Sequence, residues 1–377
     1  MPEAAAALAG EIRRHGAVPF DRFMAVALYH PRGGYYERAA DPVGKRGDFF
    51  TSVSVGPLFG ELLGFAFAEW LDRLPASAPA WLIEAGAHDG RLARDLLGWL
   101  RQWRPALWPR LRHGIVEPSP RRAARQRAVL TGDAELAGKT RWFASLAEAA
   151  AARPRGVLFA NELLDALPLR RFVWDAARRR WRELAVTLSD DESRFVWTRR
   201  DSAPPPADEE PDAPVPWRAL ADRLPDGWVW EHPVEALRWW REAAQTLAAG
   251  WLMTLDYGGW ESGGPALERP NGTLRAFRGH HQAPDVLADP GAQDLTADVD
   301  FAALRRVGEA AGWRTETATA QGRWLTRVAG RIARAPERFP PWDAARRRRF
   351  LTLVHPEHLG GRFQVLVQRK GVGDERA

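Results

Sequence analysis

The segment 81–97 constrains the fold more than any other part of the chain, because it predicts a strand, a glycine-bearing turn and a helix in direct succession. Trp81 to Ile83 are an apolar run typical of a buried strand, and Gly86 and Gly90 bound the turn that follows. The apolar residues that recur with the helical period after this turn are Leu92, Leu96, Leu97 and Leu100. In a doubly wound sheet, such a unit brings a ligand against the glycine backbone and the helix N-terminus, although a purely structural strand–helix unit gives the same pattern.

Two acidic residues at predicted strand ends indicate which ligand this turn could hold. Glu84 ends the first strand, where it would repel a pyrophosphate and tolerate a cationic cofactor with an amino-acid tail, such as S-adenosylmethionine. His113 to Ser119 predict the next strand, and Glu117 at its tip could accept both ribose hydroxyls. Glu117 follows Glu84 at a greater distance than the roughly 20 residues typical of a dinucleotide fingerprint. Together the two acids favour S-adenosylmethionine.

Composition excludes several classes of protein. The chain has 377 residues, 45% of them hydrophobic, which suffices for one large or two modest globular domains. It has no cysteine, so disulfides, thiolate zinc sites and cysteine nucleophiles are excluded. Without a run of 18 apolar residues or the features of a signal peptide, a cytoplasmic protein is expected. The net charge of +6 comes mainly from arginine, and the runs 178–180 and 346–349 are expected to be solvated rather than to contact nucleic acid.

The order of predicted elements indicates an α/β fold with a doubly wound, mostly parallel sheet. Helices alternate with the predicted strands, which are 81–84, 114–117, 141–143, 156–160 and 250–256. Residues 172–200 alternate like antiparallel strands, and 201–216, rich in Pro, Asp and Glu, predict a mobile loop. The expected organisation is an N-terminal helical extension (1–75), a core (76–172 and 250–370) and an inserted region (173–249).

Polar residues at the exit of the fourth parallel strand are candidates for catalysis. Asn161, Glu162 and Asp165 follow the buried strand 156–160 at the sheet edge where such folds bind ligands. Spaced three apart, Glu162 and Asp165 are expected on one side of a helical turn, where paired carboxylates could hold a guanidinium. An ordinary helix N-terminus, with Asn161 as its cap, is the alternative interpretation.

Further candidates lie at the next strand exit and in a long loop. Asp256 and Tyr257 end the strand 250–256, and the Gly/Pro-rich segment 259–295 is long enough to be a lid or binding loop. Within that segment, His280 and Asp294 are candidate substrate contacts. The spacing of its histidines and acids matches no zinc pattern, so no metal site is predicted.

Seven motifs in register resemble the MidA-like S-adenosylmethionine-dependent methyltransferases, a family that includes a mitochondrial protein arginine methyltransferase. The resemblance covers about residues 5–370. The motifs are Gly47–Ser52 with Phe59–Glu61, the loop Glu84–Gly90, Val116–Pro120, Asn161–Pro168, Asp256–Gly258, Gly272–His280 and Asp289–Phe301. Two positions depart from the family pattern: His88 stands where a third glycine is usual, and Asp298 where histidine is common.

The resemblance implies a Rossmann-like class I methyltransferase fold that binds S-adenosyl-L-methionine. Its implied cofactor-binding residues are Asp48, Phe49, Thr51, Glu84, Gly86, Gly90, Glu117 and Asn161. Glu162 and Asp165 would face the substrate, which the family implies is a protein arginine, and a homodimer is a further expectation. Two alternatives stay open: a small-molecule N- or O-methyltransferase, and a non-catalytic cofactor-binding assembly factor.

Overall fold

A computed structural model describes residues 2–38, 51–201, 223–260, 269–279 and 281–373. Three predicted site residues, Asp48, Phe49 and His280, lie outside the described residues, as does nearly all of the predicted loop 201–216.

The helix predicted after the glycine turn is confirmed, and it begins at Arg91. The helices are α1 Glu3–His15, α2 Phe20–Tyr29, α3 Leu58–Leu71, α4 Arg91–Trp103, α5 Pro120–Leu130, α6 Ala134–Lys139, α7 Leu146–Ala150, α8 Val234–Thr246, α9 Phe301–Ala310, α10 Gln321–Arg334, α11 Ala344–Val354 and α12 Leu359–Arg362.

The strands are β1 Val18–Pro19, β2 Ala80–Ala85, β3 Leu111–Val116, β4 Thr140–Phe143, β5 Arg155–Asn161, β6 Arg170–Asp175, β7 Arg180–Leu188, β8 Phe195–Arg200, β9 Val229–His232, β10 Ala249–Gly259, β11 Arg275–Arg278, β12 His281–Ala283, β13 Asp294–Thr296, β14 Val299–Asp300, β15 Arg314–Ala320 and β16 Phe363–Lys370.

The chain divides into two compact units. The core unit comprises the described residues of 51–163, 239–257 and 305–373. The insert unit comprises the described residues of 2–38, 164–238 and 258–304. Helices α1 and α2 therefore belong with the inserted strands β6 to β9, whereas α3 belongs to the core unit.

The core unit contains one sheet with the strand order β15-β16-β10-β5-β2-β3-β4. Strands β10, β5, β2, β3 and β4 pair in parallel, and β16 is antiparallel to both of its neighbours. This arrangement confirms the predicted doubly wound, mostly parallel sheet. The carboxyl ends of β2, β3, β5 and β10 consequently lie at one edge, and every polar residue predicted at a strand exit lies in the last residues of one of these four strands or just after it.

Apolar burial on both faces explains why these segments form central strands. All of β5 after Arg155 is buried, as is β10 from Ala249 to Asp256. On one face, Phe159 lies 5.0 Å from Phe67 of α3 between ring centroids, and Trp251 stacks on Trp70 at 5.7 Å. These aromatic contacts fix α3 against the sheet beside the strand ends.

The insert unit contains antiparallel sheets. Its larger sheet has the order β1-β7-β6-β9, with β8 also paired to β7, which confirms the predicted antiparallel strands of 172–200. The segment 259–295 was predicted as an extended loop, and this is wrong for part of it, because β11 pairs with both β12 and β13. β11 and β12 form a tight hairpin, and pairing of β11 with β13 adds the third strand.

Helix α6 and strand β15 are among the elements that escaped prediction, because their sequences lack an apolar period. Helix α6 is six residues long, and the Asp133 side chain accepts from the backbone N–H groups of Glu135 and Leu136 at its start. Strand β15, Arg-Thr-Glu-Thr-Ala-Thr-Ala, is an edge strand with an alternating exposed pattern. Among the described residues, no helix is long and apolar enough to cross a membrane.

The packing of Phe159 gives a test of the core. Phe159 is fully buried, so Phe159→Ala should lower the free energy of unfolding by about 3–5 kcal/mol, because it removes a ring that the surrounding sheet cannot replace. The matched control Leu351→Ala changes a side chain that is 63% exposed and should stay within about 0.5 kcal/mol of the parent. Urea denaturation measures both, and equal effects would contradict this description of the core.

Candidate cofactor and catalytic site

The glycine turn after β2 needs glycine at both of its predicted positions. Gly86 and Gly90 have φ values of 72° and 87°, in the left-handed region that favours glycine. A Cβ atom on Gly86 would lie 2.9 Å from Cδ1 of Leu163, and one on Gly90 would lie 3.3 Å from the backbone of Gln126. The turn therefore lies close to the exit of β5 on one side and to α5 on the other.

His88, where the family usually has glycine, also has a left-handed backbone, with a φ of 46°. Histidine tolerates this region better than most side chains, although at some cost. Its Nδ1 lies 3.8 Å from Oδ1 of Asp89. Burial raises the pKa of the Asp89 carboxyl, but interactions with His88 and Arg91 outweigh it and leave the pKa below its ordinary value. His88 and Arg91 thus lie beside the Asp89 carboxyl within the turn.

Glu84 is a buried carboxyl group with an unused oxygen. The residue is 2% exposed, and Oε2 has no hydrogen-bond partner among the described residues. Burial, with a smaller contribution from the charge of Asp89, raises its pKa to about 8. A cation with N–H donors would supply both the charge and the missing hydrogen bonds, as the ammonium group of an amino-acid tail does.

Asn161 presents a second unused acceptor nearby in the sheet register. Its Oδ1 is also buried without a partner among the described residues, while its Nδ2 donates to Oε1 of Glu162 at 3.1 Å. Glu84 pairs in register with Phe159, so Asn161, two residues further along β5, lies on the same face as Glu84. Two orphaned acceptors on one face of the sheet fit a donor-rich ligand.

Glu117, at the end of β3, is held by three neighbours. Its Oε1 accepts from the backbone N–H of Ser119 at 2.9 Å and from Arg122, whose Nη2 lies 2.8 Å away. Among the described residues, its Oε2 accepts from Nε2 of Gln126 alone, at 3.0 Å. The residue is 5% exposed, and the oxygen with remaining acceptor capacity is Oε2. A ribose contact through both oxygens requires Arg122 to move.

Glu162 has a strained backbone at the exit of β5. Its φ is 53°, and its N–H donates to the carbonyl of Leu255 at 2.9 Å. The expectation that Glu162 and Asp165 share a helical turn is wrong, because the left-handed Glu162 precedes a short 3₁₀ turn of Leu164–Ala166. The two acids also belong to different units, since the division falls between Leu163 and Leu164.

Asp256 has a positional role that its sequence context did not reveal. It is completely buried, its Oδ2 accepts from the N–H of Leu163 at 3.1 Å and its Oδ1 from the N–H of Tyr257 at 2.9 Å. The Tyr257 ring packs on Phe363, with centroids 4.0 Å apart. Asp256 thus ties the exits of β5 and β10 together beside Glu162, and substrate contact by Asp256 and Tyr257 stays a prediction.

The insert unit gathers tyrosines around Asp294. The Tyr36 hydroxyl donates to the Asp294 carboxylate at 2.9 Å, and Tyr29 stacks on Tyr36 at 5.6 Å. Burial, then the charge of Asp294 and more weakly that of Asp165, raises the pKa of Tyr36 well above its ordinary value. Tyr36 therefore stays a neutral hydrogen-bond donor. The charges of Asp294 and Asp165 both act on its hydroxyl group.

Two residues singled out in the sequence, Thr51 and Asp298, have protein side chains as hydrogen-bond or ion-pair partners, and one buried residue, Gln126, was not predicted. Thr51 bonds to Ser54 in its own turn, with the two hydroxyl oxygens 2.9 Å apart. Asp298, which replaces the usual histidine, forms ion pairs with Arg269 and Arg275. Sequence reasoning missed Gln126, although a signal existed: it is polar on the face of α5 that buries Ala123 and Leu130.

Comparisons with known proteins agree with this architecture. A family model described as S-adenosyl-L-methionine-dependent methyltransferase matches residues 62–319. The chain is 31% identical to the protein arginine methyltransferase NDUFAF7, mitochondrial, of Rattus norvegicus, over 79% of this chain and 68% of that protein. It is 28% identical to the NDUFAF7 homolog of Drosophila melanogaster, over 97% of this chain and 84% of that protein.

A solved structure supports the same conclusion. The crystal structure of a protein from Burkholderia thailandensis bound to S-adenosyl-homocysteine superposes with a TM-score of 0.81, at 30% identity, covering 98% of this chain and 92% of that one. The fold and site define a class I S-adenosylmethionine-dependent methyltransferase. The chain belongs to the MidA-like family of these enzymes, and its cofactor is S-adenosyl-L-methionine.

The raised pKa of Glu84 gives a proton-linkage test. With a pKa of about 8, the carboxyl is mainly protonated at neutral pH, and a cationic ammonium group beside it would lower that pKa and ionise it. S-adenosylhomocysteine binding near neutral pH should therefore release close to one proton, and the release should vanish above the free pKa.

Calorimetry in buffers of different ionisation enthalpy measures this release. Glu84→Gln should abolish it, whereas the exposed control Glu148→Gln should not change it. An identical release from the parent and Glu84→Gln would show that Glu84 does not meet the cofactor's ammonium group.

Proposed function

We propose that this enzyme methylates the side chain of a protein arginine and that Glu162 is its catalytic carboxylate. The names of the relatives, protein arginine methyltransferases, support the substrate class. The observation that carries the role of Glu162 is its left-handed backbone at the carboxyl edge of the sheet. Strained conformations of non-glycine residues persist where surrounding contacts enforce them, and they concentrate at active sites.

The cofactor-binding residues follow from the buried acceptors. Glu84 and the backbone of Gly86 and Gly90 take the amino-acid end, and Glu117 takes the ribose through Oε2. Asn161 offers its free Oδ1 to the ligand. Thr51 stays a candidate cofactor-binding residue, as do Asp48 and Phe49, which lie outside the described residues. When bound, S-adenosylmethionine supplies an electrophilic methyl carbon on a sulfonium. The burial of Glu84 and Asn161 keeps water from competing for their oxygens.

Glu162 has two tasks in this proposal. An arginine is protonated at neutral pH, so a carboxylate must hold the guanidinium and take a proton as the methyl group is added. Asn161 fixes the Oε1 oxygen, and the bonds from Glu162 to Leu255 and from Leu163 to Asp256 fix the backbone. A carboxylate held in advance needs little reorganisation during the reaction.

Asp294 and Asp165 are candidate substrate residues in this proposal. Asp294 is 3% exposed and is oriented by the Tyr36 hydroxyl. With Asp165, it forms an environment that favours a cationic side chain. His280 and the pair Asp256–Tyr257 stay candidate substrate residues. A cytoplasmic location and a homodimer remain predictions, and the relatives' names describe mitochondrial proteins.

The first test separates binding from turnover at Glu162. Glu162→Gln removes the charge and preserves the shape, so S-adenosylhomocysteine affinity should stay within a few fold while methyl transfer falls by roughly 100-fold. Transfer of tritiated methyl groups to lysate proteins, followed by acid hydrolysis, measures the rate and identifies methylarginine. The control Glu337→Gln, at an exposed ion pair with Arg338, should transfer at the parent rate.

The same assay separates the alternative functions. If the tritium label is found only in small molecules after size separation, the methyl acceptor is a small molecule and not a protein. Cofactor binding without any transfer would indicate a non-catalytic assembly factor. Transfer by Glu162→Gln at the parent rate would remove Glu162 from the mechanism.

A second test concerns the Tyr36–Asp294 pair. Tyr36→Phe removes the donor to a buried carboxylate and should lower the free energy of unfolding by about 1–3 kcal/mol. It should also raise KM for the protein acceptor, with S-adenosylhomocysteine affinity unchanged. Urea denaturation and steady-state kinetics measure the two effects. An unchanged KM would confine Tyr36 to folding.

A further inference from the structure

Gln126 lies between two parts of the cofactor site that are far apart in sequence. It is fully buried on α5, and its Nε2 donates to Oε2 of Glu117 at 3.0 Å and to the carbonyl of His88 at 3.1 Å. One amide group therefore bonds to the acid at the tip of β3 and to the glycine turn after β2.

The orientation of the Gln126 amide is determined by its neighbours. Its Oε1 accepts from the indole Nε1 of Trp142 at 3.1 Å. An indole N–H can only donate, while a carboxylate and a carbonyl can only accept, so a rotated amide would face three wrong partners. Both donors of the amide are used, and Trp142 is itself covered by Arg127, whose guanidinium lies 4.7 Å from the ring centroid.

Gln126 also determines which oxygen Glu117 offers. Ser119 and Arg122 occupy Oε1, whereas Oε2 accepts from Gln126 as its one partner in the part of the chain that the structure describes, and keeps a lone pair. The amide on one side of Oε2 directs the remaining acceptor site to the other. The backbone of Gln126, 3.3 Å from a Cβ atom built on Gly90, reinforces the closeness of α5 to the turn.

We propose that Gln126 is a positioning residue that orients the Glu117 carboxylate for the ribose hydroxyls and holds the glycine turn at a fixed distance from it. The proposal rests on the assignment of Glu117 to the ribose and is independent of the methyl acceptor. Gln126 itself does not touch the reacting atoms. Its effect is transmitted through the two hydrogen bonds of one side-chain amide.

The experiment compares ligands that differ only in ribose hydroxyls. Binding of adenosine, 2′,3′-dideoxyadenosine and S-adenosylhomocysteine is measured by calorimetry for the parent, Glu117→Ala and Gln126→Met. Methionine keeps the length of the side chain and removes both donors. A merely structural role would weaken adenosine and its dideoxy analogue equally, whereas a positioning role lowers the ratio of their affinities.

For Gln126→Met, S-adenosylhomocysteine affinity should fall tenfold or more, and the adenosine-to-dideoxyadenosine ratio should fall toward that of Glu117→Ala. In the double variant, the adenosine-to-dideoxyadenosine ratio should equal that of Glu117→Ala, because both changes remove the same ribose contact. Any further loss of S-adenosylhomocysteine affinity in the double variant measures the bond from Gln126 to the His88 carbonyl. The control Trp142→Phe leaves both Gln126 donors in place and should retain most of the ratio.

Three outcomes would overturn the assignments, and they are distinguishable. If Glu117→Ala keeps the parent ratio, Glu117 does not bind the ribose. If Glu117→Ala loses the ratio and Gln126→Met keeps it, only the role of Gln126 is refuted. Should Gln126→Met fail to fold, Gln126→Glu keeps the acceptor for Trp142 and places a carboxylate against Glu117. A parent ratio in that variant at pH 8 would refute the positioning role equally.

Discussion

Burial of the Glu84 carboxyl group at the end of β2 is the constraint on which the rest of the site depends. Its Oε2 has no hydrogen-bond partner among the residues that the structure describes, and burial raises its pKa to about 8. A buried acid of this kind is costly unless a cation or donor meets it. The free-energy cost of this burial is tolerable because the central strands supply a large apolar core. The buried acid also favours a cationic cofactor over a pyrophosphate.

Glu117, at the end of the neighbouring strand β3, is in contrast hydrogen-bonded by the protein through both of its carboxylate oxygens. This carboxylate is nearly as buried, yet Ser119, Arg122 and Gln126 compensate it. Two acids at adjacent strand ends thus have different environments, and we propose different tasks for them: Glu84 meets a cation, and Glu117 is a fixed acceptor. Burial alone therefore does not define the role of an acid in this site, since the number and type of donors around it do.

Residues with a strained backbone at the strand exits are held by hydrogen bonds from neighbouring segments. Glu162 and His88 both have left-handed backbones, and both are braced by bonds from other segments. The two carboxylate oxygens of Asp256 accept hydrogen bonds from the backbone N–H groups of Leu163 and Tyr257, which connects two strand ends. Asp256, predicted as a substrate contact from its position at a strand end, thus also holds the backbone next to Glu162. Proximity to a strand exit identifies the region, and the available donors decide the task.

The sequence by itself determined the parallel strands, the glycine turn and the acids at their ends, because apolar periodicity and glycine placement are local properties of the chain. It also carried the family resemblance that identified the cofactor. It could not determine the left-handed backbone of Glu162, which depends on a bond to Leu255, nor the edge strand β15, whose polar residues are ordered by β16. The contacts of Gln126 with His88 and of Tyr36 with Asp294 join positions 38 and 258 residues apart. Only the tertiary structure decided these, because a hydrogen bond between distant segments leaves no periodic trace in either of them.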